Sequence, residues 1–274
     1  QSEGRAYTPS EMNPRVLLIN PPIYDFAAYD FWIRPYGLLS IAGRLRRQAE
    51  FRLFDYMDRR VDENAGPSDR WGRGRFRSER IPLPEALAHI PRYYRRFGLL
   101  RERFSSWLRE QGPFDYALIQ TMMTYWYPGV AEVIEDLRRF RPEAKIVLGG
   151  NYAILCPDHA RNLGADLVVD GIDVQPLWSF MQVEADPAQV AIWEAYDRLD
   201  TGALKLTDGC PFRCSYCSVP RVYGRFRPRS IERALAELEL LISRGARNVA
   251  FYDDSLLFDA EHVLTHFLQD VLRR

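Results

Sequence analysis

Three cysteines, Cys210, Cys214 and Cys217, crowd into the string Thr207-Asp208-Gly209-Cys210-Pro211-Phe212-Arg213-Cys214-Ser215-Tyr216-Cys217. Thiolates this close suit a metal centre, whereas secreted scaffolds spread their cysteines to close loops. A four-iron four-sulfur cluster normally takes one thiolate per iron. Three cysteines in a CxxxCxxC loop therefore leave one iron open to chelate a substrate or cofactor. Zinc is the rival occupant. It prefers four Cys or His ligands in pairs, so it would need a distant fourth, such as Cys156 or one of the 4 histidines. His262 and His266 stand one helical turn apart, a spacing that exposed helix pairs share. Cys156 alone reads as a small buried hydrophobe.

The segments around the loop look built to position it. Ala203-Leu204-Lys205-Leu206 is strand-like and runs into the cysteines. Ser230 then caps a helix with Glu232 in its first turn and Ala234, Leu235, Leu238, Leu241 and Ile242 on its apolar face. Asn248 to Tyr252 forms the next strand, and a helix follows from about Ala260 to Arg274. Upstream, the same alternation recurs. Strands are expected at Arg15 to Asn20, Phe51 to Tyr56, Tyr116 to Gln120, Lys145 to Leu148 and Asp166 to Gly171. Helices are expected around Leu38, Ile41, Ala42 and Leu45, and from Pro128 with Val130, Val133, Ile134, Leu137 and Phe140 as its stripe. Such alternation implies right-handed crossovers and an α/β, Rossmann-like, doubly wound parallel sheet over 15–183. A linker covers 184–202, and a second unit runs over 203–274.

A long segment, 59–111, interrupts the first unit and is expected to be helical. It interleaves Arg73, Arg75, Arg77, Arg92, Arg95 and Arg96 with Tyr93 and Tyr94. Such a mixture can stack on single-stranded nucleic acid. Glu79, Glu85, Glu102 and Glu110 partly neutralise it, and Arg stems also cover apolar surface, so nucleic acid is not the expected partner. The chain has 37 basic and 37 acidic residues, which leaves no global pull toward nucleic acid or an acidic membrane. At 47% hydrophobic and 27% charged it resembles an average globular protein. No apolar run is long enough to span a membrane, and Gln1 to Pro14 lack the apolar stretch of a secretory signal. The expected location is the cytoplasm.

The cysteine string closely resembles the radical S-adenosylmethionine (SAM) superfamily, in which an aromatic residue such as Tyr216 precedes the third cysteine. Gly-Cys-Pro-Phe-Arg-Cys-Ser-Tyr-Cys looks like the subgroup with a cobalamin-binding domain ahead of a partial (β/α)8 barrel. The resemblance implies that Cys210, Cys214 and Cys217 hold a 4Fe-4S cluster whose open iron chelates SAM. Reductive cleavage would then give a 5′-deoxyadenosyl radical, used for methyl transfer or another radical modification of an unknown substrate. Tyr216 would lie beside the adenine. Asp253 and Asp254, in Tyr252-Asp253-Asp254-Ser255 where Gly-Gly-Glu is common, would sit near SAM or else cap the following helix. Asp208 stands where Arg is common.

The first unit likewise resembles the cobalamin-binding domains of that subgroup. The resemblance rests on Asn20-Pro21-Pro22, Gly37-Leu38-Leu39, Met123 to Val130, Gly149-Gly150, Cys156 to Ala160 and Asp170-Gly171. It implies a cobalamin site built from Pro21, Thr121, Met122, Gly149, Gly150 and Gly171, at the carboxyl ends of the strands. The DxHxxG element that supplies a cobalt ligand is replaced by Asp55-Tyr56-Met57-Asp58-Arg59-Arg60. Ligation of cobalt from that loop is therefore not expected. A full barrel takes about 250 residues, so a chain ending after two barrel strands is expected to be a fragment that is inactive alone and self-associates through bare apolar faces. The alternative is a non-enzymatic, zinc-stabilised binding protein that engages a partner through its basic insertion.

Overall fold

A strand such as Arg15–Asn20, apolar at its inner positions, needs cover on both faces, and it has that cover. The computed structural model describes residues 13–274; most of the polar opening stretch lies outside the described residues. Strands β1 (Arg15–Asn20), β2 (Glu50–Asp55), β3 (Tyr116–Thr121), β4 (Lys145–Gly150) and β5 (Leu167–Val169) form one parallel sheet in the order β5-β4-β3-β1-β2. Leu17, Ile19, Ile119 and Leu148 face one hydrophobic cluster, while Val16, Leu18, Leu118 and Val147 face another. This is the two-residue alternation of a strand buried on both sides.

Helices α1 (Tyr36–Gly43), α2 (Arg101–Glu110), α3 (Tyr127–Phe140), α4 (Asn151–Leu155), α5 (Pro157–Arg161) and α6 (Gln175–Met181) divide between the faces. α1 and α6 pack on the Val16 side, and α2 to α5 pack on the Leu17 side. The chain turns from β1 one way to β2, then crosses back to β3. The carboxyl ends of β1 and β3 therefore flank a topological switch point, where open α/β sheets bind ligands.

The insertion departs from expectation. It is helical only over α2 and single turns at Arg59–Val61 and Glu85–Leu87. The remainder is loops and turns with three short strands: Arg95–Phe97 pairs antiparallel with Ile23–Asp25 on one side and Ser78–Arg80 on the other, and Gly74–Arg75 pairs with Tyr29–Asp30. Gly66, Pro67, Gly72, Gly74, Pro82, Pro84 and Pro91 break any long helix. Its basic and aromatic residues largely satisfy one another, with Arg80 lying 3.9 Å from the Tyr93 ring centre and Arg92 lying 5.9 Å from that of Phe26. Arg96 is buried and forks onto Glu132 of α3 at 2.8 and 2.6 Å. Tyr24 donates to the same carboxylate at 2.6 Å.

The second unit contains β6 (Thr201–Leu204), α7 (Val219–Val222), α8 (Ile231–Ser243), β7 (Asn248–Phe251) and α9 (His266–Arg273). β6 and β7 are parallel neighbours with Thr201 opposite Asn248. Leu204, Leu206, Ala234, Leu235, Val263 and Phe267 form their core. The connection before β6 is packed, with Ala191, Ile192, Trp193, Tyr196 and Leu199 all buried. The two units meet through a shared hydrophobic cluster and a polar chain. Trp193 Nε1 and Tyr36 OH both donate to Glu237, at 2.9 and 3.2 Å, and Arg229 donates to Tyr36 OH at 2.8 Å. Among the described residues, no helix is long and apolar enough to cross a membrane.

Candidate functional site

The cysteine loop is positioned by backbone geometry before any side chain acts. Thr207-Asp208 pairs antiparallel with Arg227-Pro228, and Cys210 forms a bridge to Arg225. Gly209 sits between them at φ +68, with the carbonyl oxygens of Gly224 and Arg225 2.5 Å from where a Cβ would lie. Any larger residue just ahead of Cys210 would push the two strands apart. Asp253, at the end of β7, accepts from the amides of Leu206 and Thr207 at 2.9 and 2.5 Å, and from Thr207 Oγ1 at 2.7 Å. It ties β7 to the segment that leads into the loop. Its Oδ2 is buried without a hydrogen-bond partner.

Beyond Gly209 the loop opens to solvent. Cys210 is half-buried with Sγ 3.0 Å from Ser255 Oγ, while Cys214 and Cys217 are exposed and joined by a Cys217 N–H to Cys214 carbonyl bond of 3.0 Å. All three thiols are free, as is Cys156, which is half-buried against the core of the first unit. Among the described residues, no three His, Cys, Asp or Glu side chains are gathered closely enough to hold an ion. Tyr216 is 90% exposed, and Phe212 and Phe258 meet edge to face at 5.8 Å beside it in the loop region. His262 is exposed and bonded to Asp259.

Charge is concentrated where the loop meets the first unit. Arg229 forks onto Asp208 at 3.0 and 2.7 Å, and Lys205 Nζ stands 3.6 Å from Asp208 and 3.9 Å from Asp254. Burial alone would raise the Asp208 pKa, but the Arg229 fork outweighs it and holds the carboxyl below its ordinary range. For Asp254 burial wins over Lys205, and its pKa is raised.

Facing this region is a cleft of about 1090 Å³, counting its open mouth. One wall is the carboxyl end of the first sheet, with Gln120, Gly149, Gly150 and Gly171; the other is Asp208, Tyr223, Arg227 and Arg229. The floor descends between α1 and α6 to Leu118, Val147 and Val169. The glycines differ in kind. Gly150 has φ +112, and a Cβ there would lie 2.2 Å from the Thr121 carbonyl, so the backbone itself demands glycine. A Cβ on Gly149 or Gly171 would meet protein only at 3.9 Å. Packing does not require glycine at either position, and its effect is to keep the cleft wall bare.

The other expected site residues separate. Pro21 and Met122 line a smaller pocket of about 320 Å³, counting its open mouth, beside the switch point, which shares only Gln120 with the cleft. Thr121 is buried and accepts from the Ala153 amide at 3.1 Å, pinning α4 instead of facing either space. In the replaced DxHxxG element, Asp55 points inward and accepts from Asn20 Nδ2, Tyr196 OH and the Met57 amide at 2.7, 2.5 and 2.9 Å. Gln120, Tyr223, Arg227 and Arg229 were not anticipated. Of these, only Gln120 left a trace in the sequence, as a polar residue closing a buried apolar strand.

Comparison with known proteins agrees with this geometry. Residues 204–268 match the Radical SAM superfamily. An uncharacterized methyltransferase of Synechocystis sp. is 28% identical over 154 residues, covering 48% of this chain and 28% of that protein. The hopanoid C-2 methylase of Rhodopseudomonas palustris is 27% identical over 135 residues, covering 41% of this chain and 25% of the other. In fold, 96% of the chain superposes on 53% of the radical SAM methyltransferase TsrM from Kitasatospora setae, solved with cobalamin and a [4Fe-4S] cluster bound, with a TM-score of 0.62 at 16% identity. The chain thus spans about a quarter of these curated relatives and about half of that solved structure. With its cysteine loop following a parallel strand and a doubly wound sheet in front, the chain carries, over residues 204–268, a segment that matches the radical SAM superfamily.

Proposed function

We propose that this chain is the cofactor-binding part of a cobalamin-dependent radical SAM enzyme that transfers a methyl group to a substrate. One observation carries the reading: the first sheet's carboxyl end and the root of the cysteine loop line a single cleft, an arrangement that supports two cofactor sites side by side. The residues fit both cofactors. Three free thiols lie on one loop, two of them exposed and unengaged in the protein interior. Gly149 and Gly171 hold open a concave wall that packing alone would let larger residues fill.

Cys210, Cys214 and Cys217 would hold the cluster, with Tyr216, Asp253 and Asp254 bordering SAM and Gly149, Gly150 and Gly171 bordering cobalamin. When bound, the cluster supplies the electron that cleaves the SAM sulfonium, and cobalamin supplies a carrier for the methyl group. The chain's own part is positional. Asp253 anchors the segment feeding the loop, Asp208 and Arg229 fix that segment against α1 through Tyr36, and the apolar floor excludes water. The reading carries with it a cytoplasmic location, where thiols stay reduced.

Anaerobic reconstitution with iron and sulfide tests it. Wild type should retain about four of each per chain with a broad thiolate-to-iron absorption, and Cys214→Ala should lose both. Retained zinc without sulfide would replace this reading with that of a zinc-stabilised binding protein.

A further inference from the structure

The Gln120 side chain is only 7% exposed, at the carboxyl end of β3 opposite Gly149 in the neighbouring strand. Its Oε1 accepts from the Leu38 amide of α1 at 3.4 Å, and this bond sets which end of the amide faces outward. The Nε2 group has no hydrogen-bond partner although it is buried. Gln120 is the residue that lines both the large cleft and the smaller pocket beside the switch point, so the unpaired N–H groups belong to the side chain these two spaces share. A buried amide donor left unpaired costs about 1–3 kcal/mol. An apolar residue would serve β3 better, since Ala117, Leu118 and Ile119 before it are apolar and buried. Neither the packing nor the protein's own hydrogen bonds explain a donor at this position. A ligand acceptor in the cleft does.

We infer that Gln120 is a ligand-recognition residue whose Nε2 donates to an acceptor oxygen of the bound cofactor. The inference rests on the proposal that the cleft takes cobalamin, and it assigns that cofactor a contact outside the glycine wall. The acceptors available on cobalamin are the carboxamide oxygens of the corrin rim and the phosphodiester oxygens of the nucleotide arm. Both are oxygens that take an N–H bond, and both can be told apart by probe.

Two near-isosteric variants isolate the donor. Gln120→Glu preserves Oε1 for Leu38 and replaces only the donor end, while Gln120→Met removes the polar end without adding charge. The measurement is equilibrium binding of hydroxocobalamin to the chain by visible absorbance, together with thermal melting of the ligand-free protein. The expected result is binding about tenfold weaker in both variants, as the loss of one buried hydrogen bond implies, with ligand-free melting of Gln120→Met at or above wild type. Dicyanocobinamide, which lacks the nucleotide arm, then locates the acceptor. A loss shared by both probes places it on the corrin rim, and a loss confined to hydroxocobalamin places it on the phosphodiester. Wild-type binding with equal affinity in both variants would overturn the inference and leave Nε2 to a water molecule. Absence of wild-type binding would instead remove the cobalamin reading of the cleft.

Discussion

The two halves of the candidate site are built by opposite means. At the end of the first sheet every feature is set by the polypeptide: Gly150 is locked by its φ, Thr121 pins α4, and the floor of the cleft is the buried face of three strands. At the cysteine loop the polypeptide stops early. Gly209, Asp253 and Asp208 fix the root, but Cys214, Tyr216 and Cys217 project into solvent and the thiols are not gathered. Three reduced thiols do not attract one another, and a metal centre provides the binding energy that draws its ligands together. On the proposed function, one region would receive its ligand as a preformed wall, while the other would be completed by its guest.

Stability measurements can break this comparison most sharply. Gly150→Ala must adopt a left-handed backbone and press a methyl group into the Thr121 carbonyl. A loss of about 3–5 kcal/mol in unfolding free energy is expected. Cys214→Ala should change the metal-free stability by no more than about 0.5 kcal/mol, as an exposed substitution outside any packed contact. Urea denaturation of both proteins reads the difference. A large loss in Cys214→Ala would mean that the loop is organised without its guest. An intermediate effect is expected at the seam between the halves. Tyr36→Phe deletes the hydroxyl joining Arg229 to buried Glu237 and should cost about 1–2 kcal/mol. It should also quicken hydrogen exchange at Thr207 and Asp208, which Arg229 holds in place. Unchanged exchange there would show that the first unit does not restrain the loop.

The same contrast explains what was legible in the sequence. β1, β3 and β4 could be read to within about two residues because a strand buried on both faces leaves an unbroken apolar run. The cysteine loop was equally plain, since ligand spacing is local. What failed was non-local. Arg95–Phe97 is a strand because Ile23–Asp25 lies beside it, and nothing in the Arg and aromatic composition of 59–111 announces a partner so far upstream. Trp193 is fully buried because Glu237 of α8 takes its N–H, so a stretch resembling a linker serves as core. Expected site residues separated for a similar reason. Thr121 and Gln120 are adjacent, but strand alternation sends one toward α4 and the other to the cleft.

A separate, pH-dependent effect belongs to Asp55, in the stretch that stands in place of the DxHxxG element. Burial, reinforced by Asp58 and opposed by Arg34, Tyr196 and Asn20, pushes its pKa up from 3.8 to about 6. Between those values the folded protein keeps a proton that the unfolded chain has released. Stability due to this group is therefore greatest near pH 4 and declines as pH rises to about 6, then levels. The decline is on the order of 2–3 kcal/mol, at about 1.4 kcal/mol per pH unit. Asp30, Glu237 and Asp254, also raised by burial, tilt the whole profile the same way, while Asp208, held low by Arg229, and Asp166, held low by the Ile146 amide and then Arg138, oppose them. The informative quantity is thus the difference between wild type and Asp55→Asn. The variant has no proton to release, so its urea midpoint should fall less between pH 4 and 6.5 than that of wild type. Parallel profiles would mean that Asp55 is ionised throughout, held by the hydroxyl and amide donors around it. The inward turn of this loop would then be as preformed as the glycine wall beside it.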